Sequence, residues 1–206
     1  MTLRQEGIKM VPIALQYIAE VVPDDLVDEF IAAIATPEFT PEVNRLERSP
    51  IYATIEWLVP TALVIFITKS YFQSFLAEMG KEHYTLLKNA LKRAANRLIG
   101  QSGPDIHVLS SSGKSKKDNK YSLTFSLYVE INKKLNLKLL FPVVLKEEEV
   151  QEVIEAYTNF IDDLYSGTIN DELLRRLSKG KVVVKTILIT YDFETKELRS
   201  VDPFQK

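Results

Sequence analysis

The sequence predicts an α+β fold in which a helical N-terminal half packs on a mainly antiparallel sheet. Two patterns indicate this class. Apolar residues recur at helical spacing through residues 70–100, whereas apolar and polar residues alternate strictly from Tyr121 to Ile131. The predicted order of the C-terminal half is β-β-β-α-α-β-β, and groups of strands separated by helices are typical of α+β folds.

The chain is long enough to bury one sizeable core, since 46% of its 206 residues are hydrophobic. We therefore expect a single α+β domain over residues 1–206. If it is subdivided, residues 1–102 form the mainly helical part and residues 103–206 the antiparallel sheet with its helices. Met1–Lys9 lacks the pattern of a secretory signal and cysteine is absent, so we expect a cytoplasmic protein.

The first third of the chain is predicted to be helical but irregular. Pro12 opens a short helix through Glu20, although residues 8–22 also fit a strand. Pro23 and the two acids after it start a clearer helix, because proline and acidic side chains favour the positive end of the helix dipole. Three prolines within residues 37–50 then break the pattern, and we expect a surface connection there.

The most apolar stretch of the chain is the uncharged run from Trp57 to Ile67. It contains Pro60 and ends between two charged residues, whereas a membrane-spanning helix needs about 20 apolar residues. We therefore expect no transmembrane span. The run is either a buried core element, with a strand at residues 63–67, or a surface for a partner or a membrane interface. The aromatic residues that would form such an apolar interface are Trp57, Phe66, Tyr71 and Phe72.

Two helices are predicted between Ser70 and Gly100. The first ends at Gly80, a plausible C-cap, and the second carries an apolar stripe from Tyr84 to Leu98. The other side of the second helix is basic. Together with a lysine-rich loop further on, this helix supplies the residues that we predict to bind an anionic partner: Lys88, Lys92, Arg93, Arg97, Lys114, Lys116 and Lys117.

These basic residues belong to a middle section of the chain that is flanked by acidic ends. The positive charge could attract an acidic protein or an anionic membrane, or it could neutralise the rest of the same molecule. The lysines are not interleaved with aromatic residues and the pI is about 5.8, which argues against a nucleic-acid binder.

Strands dominate the remainder of the chain. The alternating segment from Tyr121 to Ile131 and the following Leu135–Phe141 form an antiparallel hairpin, with Asn136 and Lys138 facing out. The other predicted elements are a short strand at 106–109, helices at 147–164 and 170–177, a central strand at 182–191 and a final strand at 198–201.

No residue pattern predicts a specific chemistry. The Gly113-Lys114-Ser115 segment lacks the earlier glycine of a phosphate-binding loop. His83 and His107 are the only histidines, and their spacing does not suit a metal. Either could act as a general base, although we favour a structural or surface role for both. We expect no metal site, no cofactor and no catalytic residue.

The function that we predict is that of a non-enzymatic interaction or accessory protein of a cytosolic complex. It would contact an acidic protein, or self-associate, through the segment from Trp57 to Leu76 and the basic helix. Peripheral membrane binding through the same apolar segment is the first alternative. An enzyme that uses His107 or His83 is the second.

Overall fold

The computed structural model describes residues 12–47, 61–99, 103–104, 120–132, 135–143, 145–169, 171–183 and 185–202. A π-helical turn, Tyr71–Phe75, leads directly into the second helix. The helices are α1 (Asp24–Ile34), α2 (Leu76–Ile99), α3 (Glu147–Ser166) and α4 (Asp171–Ser178). The strands are β1 (Ile13–Ile18), β2 (Glu42–Leu46), β3 (Leu63–Ile67), β4 (Tyr121–Asn132), β5 (Leu135–Pro142), β6 (Val182–Val183), β7 (Thr186–Asp192) and β8 (Glu197–Val201).

The described strands form one mixed sheet in the order β2-β1-β3-β4-β5-β7-β6, with β8 also paired to β7. The pairs β1–β2, β3–β4 and β5–β7 are parallel, and the others are antiparallel. Because neighbouring parallel strands need a crossover, a helix follows β1, β3 and β5 before each partner strand. The prediction of a mixed α and β composition is confirmed. Among the described strands, four of the seven pairs are antiparallel and three are parallel, so the sheet is mixed.

The prediction of a helical N-terminal half matches only in part, since three strands lie there beside α1 and α2. Burial alternates along β1, where Ile13, Leu15 and Tyr17 face the core, so the stretch after Pro12 is a strand. β2 lies inside the region predicted to be a surface connection. The considered boundary at residue 102 falls between α2 and β4, which belong to one β-α-β connection.

The hydrophobic core lies between the sheet and the described helices. Side chains from one side of β1, β3, β4, β5 and β7 pack with the buried faces of α1, α2 and α3. α2 is the central helix, because it contacts both α1 and α3. The apolar run predicted as a core element supplies β3, whose residues hydrogen-bond to β1 on one side and to β4 on the other.

The alternation of apolar and polar residues predicted that the polar side of the central strands faces solvent. In the structure that side is buried. Ser122, Thr124 and Ser126 on β4 are buried, and so is Lys138 on β5. Ser122 and Thr124 hydrogen-bond to each other at 2.6 Å, and Ser126 bonds to Thr61 at 2.7 Å. Polar groups tolerate burial when they are paired in this way.

The antiparallel hairpin of β4 and β5 and the helix α3 follow the sequence prediction closely. α3 begins with three glutamates and ends at Gly167, which adopts the left-handed conformation expected of a C-cap. The single strand predicted at 182–191 is instead two antiparallel strands, β6 and β7, in which Val183 lies opposite Thr186. Lys185, directly before β7, has a φ of 63°. The strand predicted at 106–109 lies outside the described residues.

The sequence predicted two helices that meet at Gly80, and α2 does consist of two helical parts joined by a kink at this residue. Helix continues on both sides, while Gly80 itself has φ 77° and ψ 176°. This conformation is accessible almost only to glycine. It separates the π-helical turn and the first residues of α2 from the long remainder of that helix.

Replacing Gly80 with alanine is expected to lower the free energy of unfolding by about 1–3 kcal/mol. The loss comes from backbone strain, because no atom lies within 4 Å of an added Cβ. Chemical denaturation measures it. Gly167→Asn is the matched control, since asparagine tolerates the left-handed φ and ψ of that residue and should cost less. Equal losses in the two variants would contradict the prediction.

Candidate functional site

Two of the basic residues predicted to bind an anionic partner are held by one carboxylate of α3. The Nζ atom of Lys88 lies 2.5 Å from Oε1 of Glu155, and Nζ of Lys92 lies 2.8 Å from Oε2. These hydrogen bonds hold the pKa of Glu155 below its ordinary value, and the bond from Lys88 has the largest effect. The lysine head groups therefore connect α2 to α3.

The two arginines of the same helix make the matching contacts with α1. Arg97 donates to Oδ2 of Asp25 at 2.7 Å and to Oε2 of Glu29 at 3.2 Å. Arg93 lies 3.5 Å from the other Glu29 oxygen. The hydrogen bond from Arg97 is the main reason that the pKa of Asp25 is lowered. The basic side of α2 thus neutralises acids of its own chain on both flanking helices.

The described residues among those predicted to form an apolar interface differ in how deeply they are buried. Tyr71 is fully buried in the core, so it is not a surface for a partner. Phe72 is partly buried and stacks on Tyr165 of α3 with a centroid distance of 4.8 Å. Phe66 is half-buried beside Tyr128, at 5.0 Å.

The backbone of the π-helical turn explains why Tyr71 lies in the core and not at the surface. The π-helical turn directs this ring toward the helical layer, where its hydroxyl bonds to a histidine. Trp57 and the lysine-rich loop with Lys114, Lys116 and Lys117 lie outside the described residues. Within the apolar segment, β3 is a core strand, and the two described residues before it, Thr61 and Ala62, are also buried.

His83, a candidate general base, is buried between α1 and the π-helical turn. Its Nε2 lies 2.7 Å from the carbonyl oxygen of Ile34, and its Nδ1 lies 3.0 Å from the hydroxyl of Tyr71. A carbonyl only accepts, so Nε2 carries the proton, and in the neutral ring Nδ1 accepts from Tyr71. Both ring nitrogens have structural partners. His107 lies outside the described residues.

Lys138 is the buried charged residue that sequence analysis placed on the outer face. It lies on β5 between Tyr128 of β4 and Leu188 of β7, its register partners, and only 7% of its surface is exposed. Burial lowers the pKa of Lys138 to about 8. A lone lysine in an alternating strand is normally solvated, so no sequence signal distinguishes this one.

A second group of basic residues, which sequence analysis did not single out, is exposed at the surface. We call this group the cationic surface; it consists of Arg175, Arg176, Lys179, Lys181 and Lys185. They lie on α4 and around β6, and all five are exposed. The signal was present in the sequence as five basic residues within eleven positions, but the acidic total of the C-terminal third hid it.

Close contacts keep the backbone of the cationic surface in place. Leu177 of α4 is buried in the core, and Arg176 pairs with Glu197 of β8 at 2.8 Å. A Cβ added at Gly180 would lie 2.5 Å from Cβ of Ser200, so the chain passes β8 too closely for any side chain there. Within the described residues, neither Lys179 nor Lys185 pairs with a carboxylate.

No family model, curated protein or solved structure matches this chain. The site must therefore be judged on its own geometry. In the described ranges no group of three or more histidine, aspartate or glutamate side chains could hold a metal ion. No helix there is long and apolar enough to cross a membrane. The arrangement that remains is electrostatic, a group of exposed positive charges on α4 and around β6.

Proposed function

We propose that this protein is a non-enzymatic interaction or accessory protein of a cytosolic complex, and that it contacts an acidic protein through the cationic surface. The observation that carries the proposal is the placement of five exposed basic residues on α4 and around β6. The basic side of α2, which the sequence favoured, has its charges matched by Asp25, Glu29 and Glu155. Within the cationic surface, Arg175 pairs with Glu172 and Arg176 with Glu197, whereas Lys179 and Lys185 pair with no carboxylate of the described residues.

Two features suit the cationic surface to a protein partner. Val182 follows Lys181 in the chain with 50% of its surface exposed, so an apolar contact is available beside the positive charges. Lys179 and Lys185 offer exposed ammonium groups that pair with no carboxylate of the described residues and can meet the acidic side chains of a partner. Charges of this kind at the rim of an interface mainly raise the association rate and select the partner.

The proposal predicts salt-sensitive binding to an acidic polypeptide. The wild-type protein is expected to bind immobilised poly-glutamate at low salt, and the double variant Lys179→Glu/Lys185→Glu should bind about tenfold more weakly. Biolayer interferometry at several salt concentrations measures both affinities. These two lysines are chosen because their replacement breaks no ion pair among the described residues.

The matched control reverses the same number of charges elsewhere. Lys69 and Lys81 are exposed, and Lys69→Glu/Lys81→Glu gives the same net charge as the test variant. It should bind poly-glutamate within about twofold of wild type once overall charge is screened. An equal loss in the two double variants would sink the proposal. So would tighter binding to phosphatidylserine vesicles than to poly-glutamate, which would instead favour the membrane alternative.

A further inference from the structure

Lys138 belongs to a row of side chains that crosses four strands on one face of the sheet. Its register partners are Tyr128 of β4 and Leu188 of β7, and Tyr128 in turn lies opposite Phe66 of β3. Side chains of register partners point to the same face of a sheet. The residues directly before and after each of these four belong to the hydrophobic core, so the row lies on the opposite face.

The exposure of its neighbours places Lys138 at the border of a partly open region of this face. On one side, Leu140 and Leu188 are at most 2% exposed. On the other side, Tyr128 across the strands and Asn136 along β5 are only half-buried. Lys138 is buried between these two groups of neighbours, and the approach to it from solvent is therefore from the side of Tyr128 and Asn136.

Two aromatic rings line this approach. The rings of Phe66 and Tyr128, both half-buried, have centroids 5.0 Å apart and planes tilted by 54°. The hydroxyl of Tyr128 lies 3.2 Å from Oγ1 of Thr186 on β7, so this side chain reaches across β5 and passes next to Lys138. The amine thus lies beside aromatic surface, against which another flat ring can pack.

We propose that Lys138 is a covalent binding site for small aromatic aldehydes, which pack against Phe66 and Tyr128 while Nζ forms an imine with the aldehyde carbon. The unprotonated amine attacks the carbonyl carbon, and the electron pair of the C=O π bond moves to the oxygen. The carbinolamine then loses this oxygen as water, together with both protons of the amine, and the C=N bond forms. The step is reversible and needs no oxidant or reductant.

The chemistry of the amine is what selects an aldehyde. Burial disfavours the charged form and lowers the pKa of Lys138 to about 8. At pH 7 about one molecule in ten then carries the unprotonated amine, against fewer than about one in a thousand for a lysine with the ordinary pKa of 10.5. Lysines in apolar surroundings form Schiff bases for this reason. No residue of the cationic surface takes part, so this site is independent of the proposed function.

Reductive trapping tests this site. The full-length protein is incubated at pH 7 with salicylaldehyde and cyanoborohydride, which reduces an imine to a stable amine, and peptide mass spectrometry follows each lysine. Lys138 is expected to react at least about tenfold faster than the exposed Lys69. This preference should disappear in urea, and Lys138→Met should lose the fast reaction. Labelling of Lys138 no faster than that of Lys69 overturns the proposal.

A second aldehyde separates the aromatic contact from the reactivity of the amine alone. Phe66→Leu keeps an apolar side chain and removes one ring, so it should slow labelling of Lys138 by salicylaldehyde about threefold or more, while labelling by acetaldehyde stays unchanged. Phe193→Leu is the matched control, because this half-buried ring follows the far end of β7, and it should alter neither rate. Equal effects of Phe66→Leu on the two aldehydes would contradict the aromatic site.

Discussion

Replacing His83 with alanine is expected to lower the free energy of unfolding by about 3 kcal/mol or more. The change removes the ring that bonds both to the Ile34 carbonyl and to the Tyr71 hydroxyl. It also leaves a cavity where a 3% exposed side chain is packed. The contact joins the end of α1 to the π-helical turn, so its loss weakens two elements at once.

Urea denaturation monitored by circular dichroism measures this effect. Tyr71→Phe is the matched control, because it keeps the buried ring and removes only the hydroxyl that bonds to Nδ1, and it should cost about 1 kcal/mol. A His83→Ala protein within about 0.5 kcal/mol of wild type would show that the histidine is not structural. The general-base alternative would then regain support.

Replacing Lys138 with methionine is expected to change the pH dependence of stability. The pKa of Lys138 is about 8 in the folded protein, against an ordinary value of 10.5, because burial disfavours the charged amine. Between these two pH values the unfolded chain binds more protons than the folded chain, so wild-type stability rises with pH. Below pH 8 the full cost of burying the charge is present.

The methionine variant lacks this titration. Its advantage in free energy of unfolding over wild type should therefore fall by about 3 kcal/mol between pH 7 and pH 11. Denaturation midpoints of both proteins across that range measure the difference, in which the titration of all other groups cancels. Lys69→Met, at an exposed position, is the control and should show a constant difference. A constant difference for Lys138→Met would contradict the assignment.

Local pattern was sufficient for part of the fold. The alternation from Tyr121 to Ile131 predicted β4 and its hairpin with β5, because period-two burial is a property of the strand itself. The three glutamates and Gly167 predicted both ends of α3 for a similar reason, since caps act within one helical turn.

Pairing partners could not be predicted in the same way. The parallel pairs depend on which strands meet after a helical crossover, and no local pattern records that choice. β2 was missed because an exposed edge strand has little apolar alternation. The candidate site changed for a related reason, since the acids that neutralise Lys88 and Arg97 come from other helices.

The apolar run from Trp57 to Ile67 separates what the sequence alone predicts from what only the tertiary structure determines. Its length, its proline and its charged flanks were enough to predict that it does not span a membrane, because those limits are set by the thickness of the bilayer. Tertiary structure decided that its described part, β3, is a core strand between β1 and β4. It also decided that the α2 charges pair with acids of the same chain, and that the side chains of the cationic surface and of β2 are exposed. These outcomes depend on neighbours distant in sequence, and only packing determines which neighbours those are.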